Sequence, residues 1–386
     1  MSVQSATLLD RRGEFPILST CTYLISNSLG AMPAKTRARL SEYADDWQTL
    51  GVVAWERWIP LVERTAASIG KLLNAPVGSV MLQQNVSIAQ AILISCLDFS
   101  GPRNKVVYSE LEFPTVHYAW TAQRRRGARV ELVRSADGIT VDTQAMCEAI
   151  DEQTLVVPIS HVLYKSSYLQ DVAAIVEKAH RVGALVFLDV YQSVGVVPVD
   201  VVCLDVDAAV GGCLKWLCGG PGAAFMYVRP ELSKRLPPPT LVGWFSHKRP
   251  FDFDMTGMEL ADDAWRYAGG TPNPAALYAA TSGLEIIAEV GVTAIHRRNQ
   301  ELTQWLIDRA LAEGLTINSP LEAQRRGGHV TVDVPDSKLV TQELIRRRFI
   351  VDQRPGAGIR IAPHFYNTTD ELGAAVYEIR RIIDGR

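Results

Sequence analysis

The 386-residue sequence predicts an α/β protein: a large domain on a mostly parallel, doubly wound sheet, followed by a smaller C-terminal α/β domain. Three observations predict it. Short apolar, β-branched runs alternate with helical patterns through the middle of the chain, the rhythm of strand–helix–strand units covered on both faces. The length exceeds what one hydrophobic core comfortably fills. After "LPPPTLVGW" (236–244) the pattern changes, and long helical stretches replace closely spaced strands.

In chain order, "MLQQNVSIAQAILI" (81–94) reads as a strand, a polar turn and an apolar helix. "KVVYSE" (105–110), "RVELVR" (129–134), "TLVVPISHV" (154–162), "ALVFLDV" (184–190), "DAAVGG" (207–212) and "AAFMYV" (223–228) read as strands buried on both faces. "DVAAIVEKAHRVG" (171–183) has apolar residues at helical spacing, an Asp near its start and a Gly at its stop. Helices follow over 273–291 and 295–314, then the short strands "GHVTVDV" and "GIRIAP" and a terminal helix, "DELGAAVYEIRRIIDG". The expected division is an N-terminal segment, 1–50, lying near the functional site and the small domain, a large domain over 51–260, and a small domain over 261–386.

Hydrophobic residues make up 47% and charged residues 21%, with a net charge of −3, which argues against a nucleic-acid partner. "RRRGAR" (124–129) reads as a solvated helix end. The six cysteines form no C-x-x-C pair and sit mostly in apolar runs, as reduced thiols in a cytoplasm do. The seven histidines show no metal-ligand spacing, so no metal site is expected. No run approaches the ~18 apolar residues of a membrane helix, and the first residues lack the pattern of a secretory leader. A cytoplasmic protein without membrane partners is the expectation.

The chemistry centres on "GGCLKWLCGGPG" (211–222), where Lys215 stands among small and apolar residues. Desolvation there would lower its pKa and make the amine a nucleophile; the alternative is a lysine snorkelling to the surface from a strand end. "VFLDVYQS" ends an apolar strand in Asp189, a costly place for a carboxylate unless it is paired or caps a helix. Ser160 and His161, ending "VVPISH", read as structural. An aspartate and a lysine on neighbouring strand ends suit pyridoxal phosphate: the lysine holds the aldehyde as an imine, and the aspartate keeps the pyridine nitrogen protonated. The cofactor's phosphate wants helix-start amides and a hydroxyl, which the turn with Asn85 and Ser87 offers. Phe113 in "SELEFPTVHY" can cover the open face of the ring.

These segments resemble the class V aminotransferase family of fold-type I pyridoxal phosphate enzymes, and within it the kynureninase-like branch. "YLISNSLGAMP" is similar to the opening that contains N-S-L-G, "EFPTVHY" to F-P-T, and "SHVLYKSS" to S-H-V-N-Y-[KR]-T-G. "DVYQSVGVVPVDV" matches D-x-x-Q-S-x-G, and "GGCLKWLCGGPG" the lysine motif. "GWFSHKRPFDF", "AGGTPNPAAL" and "GIRIAPHFYNTTDEL" follow in the family's order. The resemblance implies the fold-type I pyridoxal-phosphate-dependent transferase fold. It also implies that Lys215 binds the cofactor and shuttles the Cα proton, that Asp189 pairs with the ring nitrogen, and that Gln192 lies near the phenolic oxygen. Phe113 stacks on the ring. Val86 and Ser87 hold the phosphate, joined by Trp244 and, from a second subunit, Thr271, which makes a homodimer with shared sites. Arg360 clamps the substrate α-carboxylate, and Asn27 lies beside the substrate.

Several positions depart from the kynureninase pattern. Leu214 stands where a Tyr precedes the lysine, Val116 replaces the Asp of F-P-T-D, and Leu163 and Ser167 replace Asn and Gly. Ser246-His247 stands for G-H, and Gln192 for a His. The expected consequence is a wider, less acidic pocket mouth around Val116, Leu163, Ser167 and Ser246. No cysteine follows Cys218, which disfavours a persulfide mechanism of the cysteine desulfurase kind. The resulting expectation is a lyase acting on a β-substituted L-amino acid, with C–S β-elimination from an S-substituted cysteine foremost. A kynureninase-type hydrolase, an aminotransferase, a decarboxylating enzyme or an epimerase are the alternatives.

Overall fold

The computed structural model describes residues 8–385; the first seven residues of the expected N-terminal segment, and Arg386, lie outside the described residues. The strands, in chain order, are β1 (Thr22–Tyr23), β2 (Val80–Gln83), β3 (Lys105–Ser109), β4 (Arg129–Val133), β5 (Thr154–Ser160), β6 (Leu185–Asp189) and β7 (Ala208–Gly212). They continue with β8 (Ala224–Val228), β9 (Thr316–Ile317), β10 (Val330–Asp333), β11 (Phe349–Ile350), β12 (Asp352–Arg354) and β13 (Gly358–Ile361). The main sheet has the order β2-β8-β7-β6-β5-β3-β4. Every neighbouring pair is parallel except the two that β8 makes, with β2 and with β7. One reversed strand thus leaves the carboxyl ends of β2, β3, β5, β6 and β7 on a single edge, where ligands of open α/β sheets collect.

Strands β2, β3, β7 and β8 are buried at every position, as continuous apolar runs require. β4 departs from the expectation of two buried faces: it pairs only with β3, and its residues alternate in exposure. The helix Val172–Arg181 begins at Asp171, whose side chain accepts the Ala174 N–H, and ends before Gly183 at φ 74°. The arginine run is the solvated helix end the sequence suggests. Arg124, Arg125 and Arg126 are exposed at the end of the short helix Ala122–Arg126, and Arg126 in addition donates to the Leu97 carbonyl at 2.7 Å and lies over the Phe99 ring, closing the end of the helix Val86–Ser95.

Two helices, Thr36–Leu50 and Trp55–Leu72, lie outside the elements expected from the sequence, although the second buries Trp58, Leu61, Val62, Thr65 and Ile69 at helical spacing. The first buries fully only Thr36 and Asp46, and the second contains Pro60, which reads as a breaker. Both pack on the apolar helix Pro274–Val290, whose own core-facing side chains belong to the large cluster around the main sheet. That helix turns by 83° at Gly291 into Val292–Ala312, whose later turns enter a second cluster. The second cluster gathers Leu302, Leu306, Val330, Val332, Ile359, Ile361, Val376 and Ile379 around the antiparallel sheet β12-β13-β10-β9. Leu24 inserts into it, while β1 pairs with β11 and the Gly30 amide bonds the Leu214 carbonyl at 2.9 Å. Residues 22–30 therefore tie the second core to the turn that bears Lys215. Among the described residues no single helix is long and apolar enough to cross a membrane.

Gly283 shows how tightly that turn is held. Alanine inside a helix is ordinarily favoured over glycine by about 0.5–1 kcal/mol. Here a Cβ would collide with the Leu217 carbonyl oxygen and the Cys218 backbone, which have no rotamer to yield. Overpacking costs about 1–3 kcal/mol, so it outweighs propensity. Gly283→Ala is expected to lower stability by about 1–2 kcal/mol, read as a lower urea midpoint at constant m value. A higher midpoint would show that the lysine turn yields freely.

Candidate active site

Each expected cofactor residue except Trp244 and Thr271 follows a strand on the shared edge. Asp189 is the last residue of β6 and pairs in register with Ser160 of β5 and Val210 of β7. Lys215 comes three residues after β7 ends, and Phe113 four residues after β3 ends. The Lys215 turn is fixed from several sides: by Gly30, by Gly283, and by His364, whose Nε2 lies 2.9 Å from the Trp216 carbonyl oxygen.

Among the described residues Lys215 Nζ makes no hydrogen bond or ion pair. It stands 4.1 Å from the centroid of the Tyr191 ring and 5.7 Å from that of Phe113. Burial lowers its pKa to about 8; Asp189 opposes that fall, while Arg360 and Arg354 add to it. An amine that is substantially neutral near pH 8 can attack a carbonyl or take a proton, which an ordinary surface lysine cannot.

Asp189 is not a helix cap. Its Oδ1 accepts the Tyr191 N–H at 2.8 Å, and burial pushes its pKa up against that bond and against the field of Lys215. A half-buried carboxylate so thinly satisfied suits a cationic partner such as a pyridinium. A second carboxylate, Glu112, lies close by and was not singled out in the sequence, although it directly precedes Phe113. It accepts the Ser160 N–H at 2.8 Å and the Gln170 Nε2–H at 3.0 Å. Burial nevertheless raises its pKa from the ordinary 4.5 to about 7, with Asp189 contributing in the same direction. A carboxyl with a raised folded pKa adds stability that is complete below about 4.5 and is lost as pH climbs through about 7. In the cofactor-free protein, Glu112→Gln should shrink the fall in unfolding free energy between pH 4.5 and 7.5 by roughly 2–3 kcal/mol. An identical pH slope in the variant would assign that fall to other groups.

The helix Val86–Ser95 opens with Asn85 as its cap, Oδ1 accepting the Ile88 N–H at 3.0 Å. The Val86 and Ser87 amides precede the first intrahelical acceptor, which is the arrangement that holds an anion. Ser87 Oγ lies 3.5 Å from Thr115 Oγ1, which belongs to the helix Pro114–Thr121. Thr115, which the sequence reading passed over, thus brings a second hydroxyl and a second helix start to the same place. Its signal was the T of F-P-T. Phe113 is 40% exposed and meets Tyr164 edge to face at 5.1 Å. Gln192 donates through Nε2 to the Asn27 carbonyl at 3.0 Å, leaving its buried Oε1 without a partner. Both side-chain polar atoms of Asn27 are likewise buried and unpartnered. Orphaned amides beside a desolvated lysine, a thinly satisfied aspartate and two hydroxyl-bearing helix starts fit pyridoxal phosphate well.

Arg360 is 1% exposed and lies within the field that acts on Lys215. Its Nε and Nη2 donate to Oδ1 and Oδ2 of Asp352 at 2.8 and 2.6 Å, and Nη1 donates to the Tyr164 carbonyl at 2.8 Å. The segment around Tyr164 is stitched to the second sheet: Gly327 N–H donates to the Ser167 carbonyl at 2.7 Å, and His329 N–H to Ser167 Oγ at 3.1 Å.

Trp244 and Thr271 are not brought to Lys215. Trp244 stacks with Phe253 at 5.8 Å in an exposed aromatic group with Phe251. Thr271 lines a cavity of about 290 Å³ with Gln84, Ile88 and Leu241; Lys215, Asp189 and Phe113 are not among its walls. The expected pocket mouth is corrected. Val116, Leu163, Ser167 and Ser246 are all buried, Val116 against Trp120 beneath Asp189 and Ser246 as acceptor of the Gly269 N–H. They shape the floor and the supporting turns, so they cannot widen an entrance.

The sequence model of the aminotransferase class-V family matches residues 22–360. A Bacillus subtilis (strain 168) protein named as the uncharacterized aminotransferase YcbU is 32% identical, with 95% of each chain covered. A kynureninase of Pseudomonas fluorescens is also 32% identical, over 98% of this chain and 93% of that one. Among solved structures, the cystine C–S lyase C-DES in complex with its product cysteine persulfide superposes with a TM-score of 0.87 at 19% identity, covering 95% of this chain and 99% of that one.

Proposed function

Because the chain belongs to the aminotransferase class-V family of pyridoxal-phosphate enzymes, we propose that it eliminates a β-substituent from an L-amino acid, with an S-substituted cysteine as the substrate class. The overall change converts such a cysteine and one water into a thiol, pyruvate and ammonia. The observation that carries the reading is the setting of Lys215 Nζ, an amine faced by the rings of Tyr191 and Phe113. β-Elimination needs one base at Cα and a leaving group that departs unaided, and a lone neutral amine is enough. Hydrolysis of an aryl ketone needs, in addition, a group that activates water, and a ring face cannot.

Bound pyridoxal phosphate supplies an electron sink that acidifies the substrate Cα–H. In this reading the protein does the rest. Asp189 keeps the ring nitrogen protonated, Gln192 bonds the phenolic oxygen, and Phe113 covers the ring. Val86, Ser87 and Thr115 grip the phosphate. Arg360 fixes the α-carboxylate, with Asn27 beside it, and Lys215 removes the Cα proton. Most of the acceleration comes from orientation and from charges already in place. The family pattern would bring Trp244, and Thr271 of a second copy, to the phosphate; this chain holds neither at Lys215, so Thr271 reaching across from a second copy is the part that calls for a homodimer. The six free thiols suit a reducing, cytoplasmic compartment.

The test is to mix the holoenzyme with S-ethyl-L-cysteine, S-allyl-L-cysteine and L-cystine and to assay pyruvate together with the sulfur product, a thiol from the first two and cysteine persulfide from cystine. Release of both in equal amounts is expected; release of neither from any of the three removes the proposal. The 32% identity with the Pseudomonas fluorescens kynureninase over 98% of the chain favours a second reading, C–C hydrolysis of a kynurenine. Anthranilate release from L-kynurenine, at a kcat/KM near the ~10⁴ M⁻¹s⁻¹ of ordinary enzymes, would put that reading first.

A further inference from the structure

Asp352 and Arg360 face each other in register across the antiparallel pair β12–β13. The carboxylate meets one edge of the guanidinium with two bonds, Nε to Oδ1 at 2.8 Å and Nη2 to Oδ2 at 2.6 Å. The Tyr164 carbonyl takes a hydrogen of Nη1 at 2.8 Å. Three of the five guanidinium N–H groups are thereby engaged, which leaves one hydrogen on each Nη for a second carboxylate. A guanidinium this deeply buried would be costly without a fixed anionic partner. Arg354 reaches the same Asp352 Oδ2 at 2.9 Å. The trio of two guanidinium groups and one carboxylate therefore carries one positive charge in excess, which a single substrate carboxylate neutralises.

We infer that Asp352 is a positioning residue: it holds the inner edge of Arg360 so that the remaining Nη hydrogens meet the substrate α-carboxylate. The inference rests on the proposed reading, in which Arg360 receives that carboxylate. The opposite role, in which Asp352 blocks the carboxylate site until substrate displaces it, predicts tighter binding of a free carboxylate once Asp352 is neutralised. Asp352→Asn keeps the shape but turns an amide towards N–H donors, so Arg360 loses its aim and its counter-charge.

The experiment titrates holoenzyme with L-alanine and with L-alanine methyl ester, following the cofactor's visible absorbance and, separately, tryptophan fluorescence. Wild type should prefer the free acid by tenfold or more; equal affinity would sink the role of Arg360 and the reading with it. Asp352→Asn should weaken L-alanine roughly 10–100-fold and leave the ester within about twofold, given the usual strength of charge-assisted hydrogen bonds. KM for the elimination substrate should rise more than kcat falls. Asp352→Glu, which keeps the charge but displaces it, should weaken L-alanine less than Asn does, and it decides the matter alone if the Asn variant does not fold. Wild-type or tighter affinity for L-alanine in these variants, with the wild-type preference for the acid intact, would overturn the inference and leave the reading standing.

Discussion

Lys215→Ala is expected to give a folded protein whose turnover is lower by about 10⁴-fold or more. Two functions leave with the amine, the covalent hold on the cofactor aldehyde and the base at Cα, and a positioned base alone is worth about 10²–10⁴. Folding should survive, because Nζ makes no hydrogen bond or ion pair among the described residues and its ammonium form is already disfavoured by burial. The companion variant Lys215→Arg separates charge from basicity. A guanidinium stays protonated at any assay pH and can neither form the imine nor accept the proton, so it should be as inactive as alanine. Borohydride reduction followed by peptide mass mapping gives a readout independent of turnover. Wild type should carry the reduced cofactor on the peptide with Lys215, and neither variant should carry it anywhere. Activity within tenfold of wild type in Lys215→Ala would refute the assignment.

The fold and most of the site were legible because each depends on local chemistry. Apolar strand runs, a Gly-punctuated helix and a lysine among small residues announce themselves in single stretches. What stayed hidden depends on partners distant in sequence. Nothing near Asp352 says that it pairs with Arg360, since the pairing is a matter of register between β12 and β13. Glu112 reads as one more acid beside an exposed turn until the Ser160 amide and Gln170 close over it. The helix Thr36–Leu50 escaped because its apolar residues do not follow a helical stripe: Leu40 and Trp47 face solvent, while the fully buried positions are the polar Thr36 and Asp46. Val116 and Ser246 were misplaced for a related reason: sequence position marks them as neighbours of substrate-facing residues, but helix phase and a turn point them inward.

Asp189→Asn should move stability and activity in opposite directions. In the cofactor-free protein this carboxylate is half-buried at the strand end with one hydrogen bond among the described residues, from the Tyr191 amide, and desolvation raises its pKa. A carboxyl whose folded pKa exceeds its unfolded value of about 3.9 stabilises the fold fully only below that value, and the contribution disappears as pH rises through the folded pKa. Asparagine fills the same volume, accepts the same Tyr191 N–H and has no charge to bury. The loss of attraction to Lys215 offsets part of that gain at pH 8, where about half of the amine is still protonated. The cofactor-free variant should therefore be more stable than wild type by about 1–2 kcal/mol at pH 8, with the gap closing towards pH 4. In the holoenzyme a neutral amide cannot keep the ring nitrogen protonated, and kcat should fall by about 10³-fold while bound cofactor remains measurable by absorbance. Urea midpoints at pH 4 and 8 and single-turnover rates decide both halves. A variant less stable at both pH values would make Asp189 a structural acid, and a kcat within tenfold would remove it from the catalytic site. Opposite signs are the mark of a group retained for chemistry at the expense of the fold.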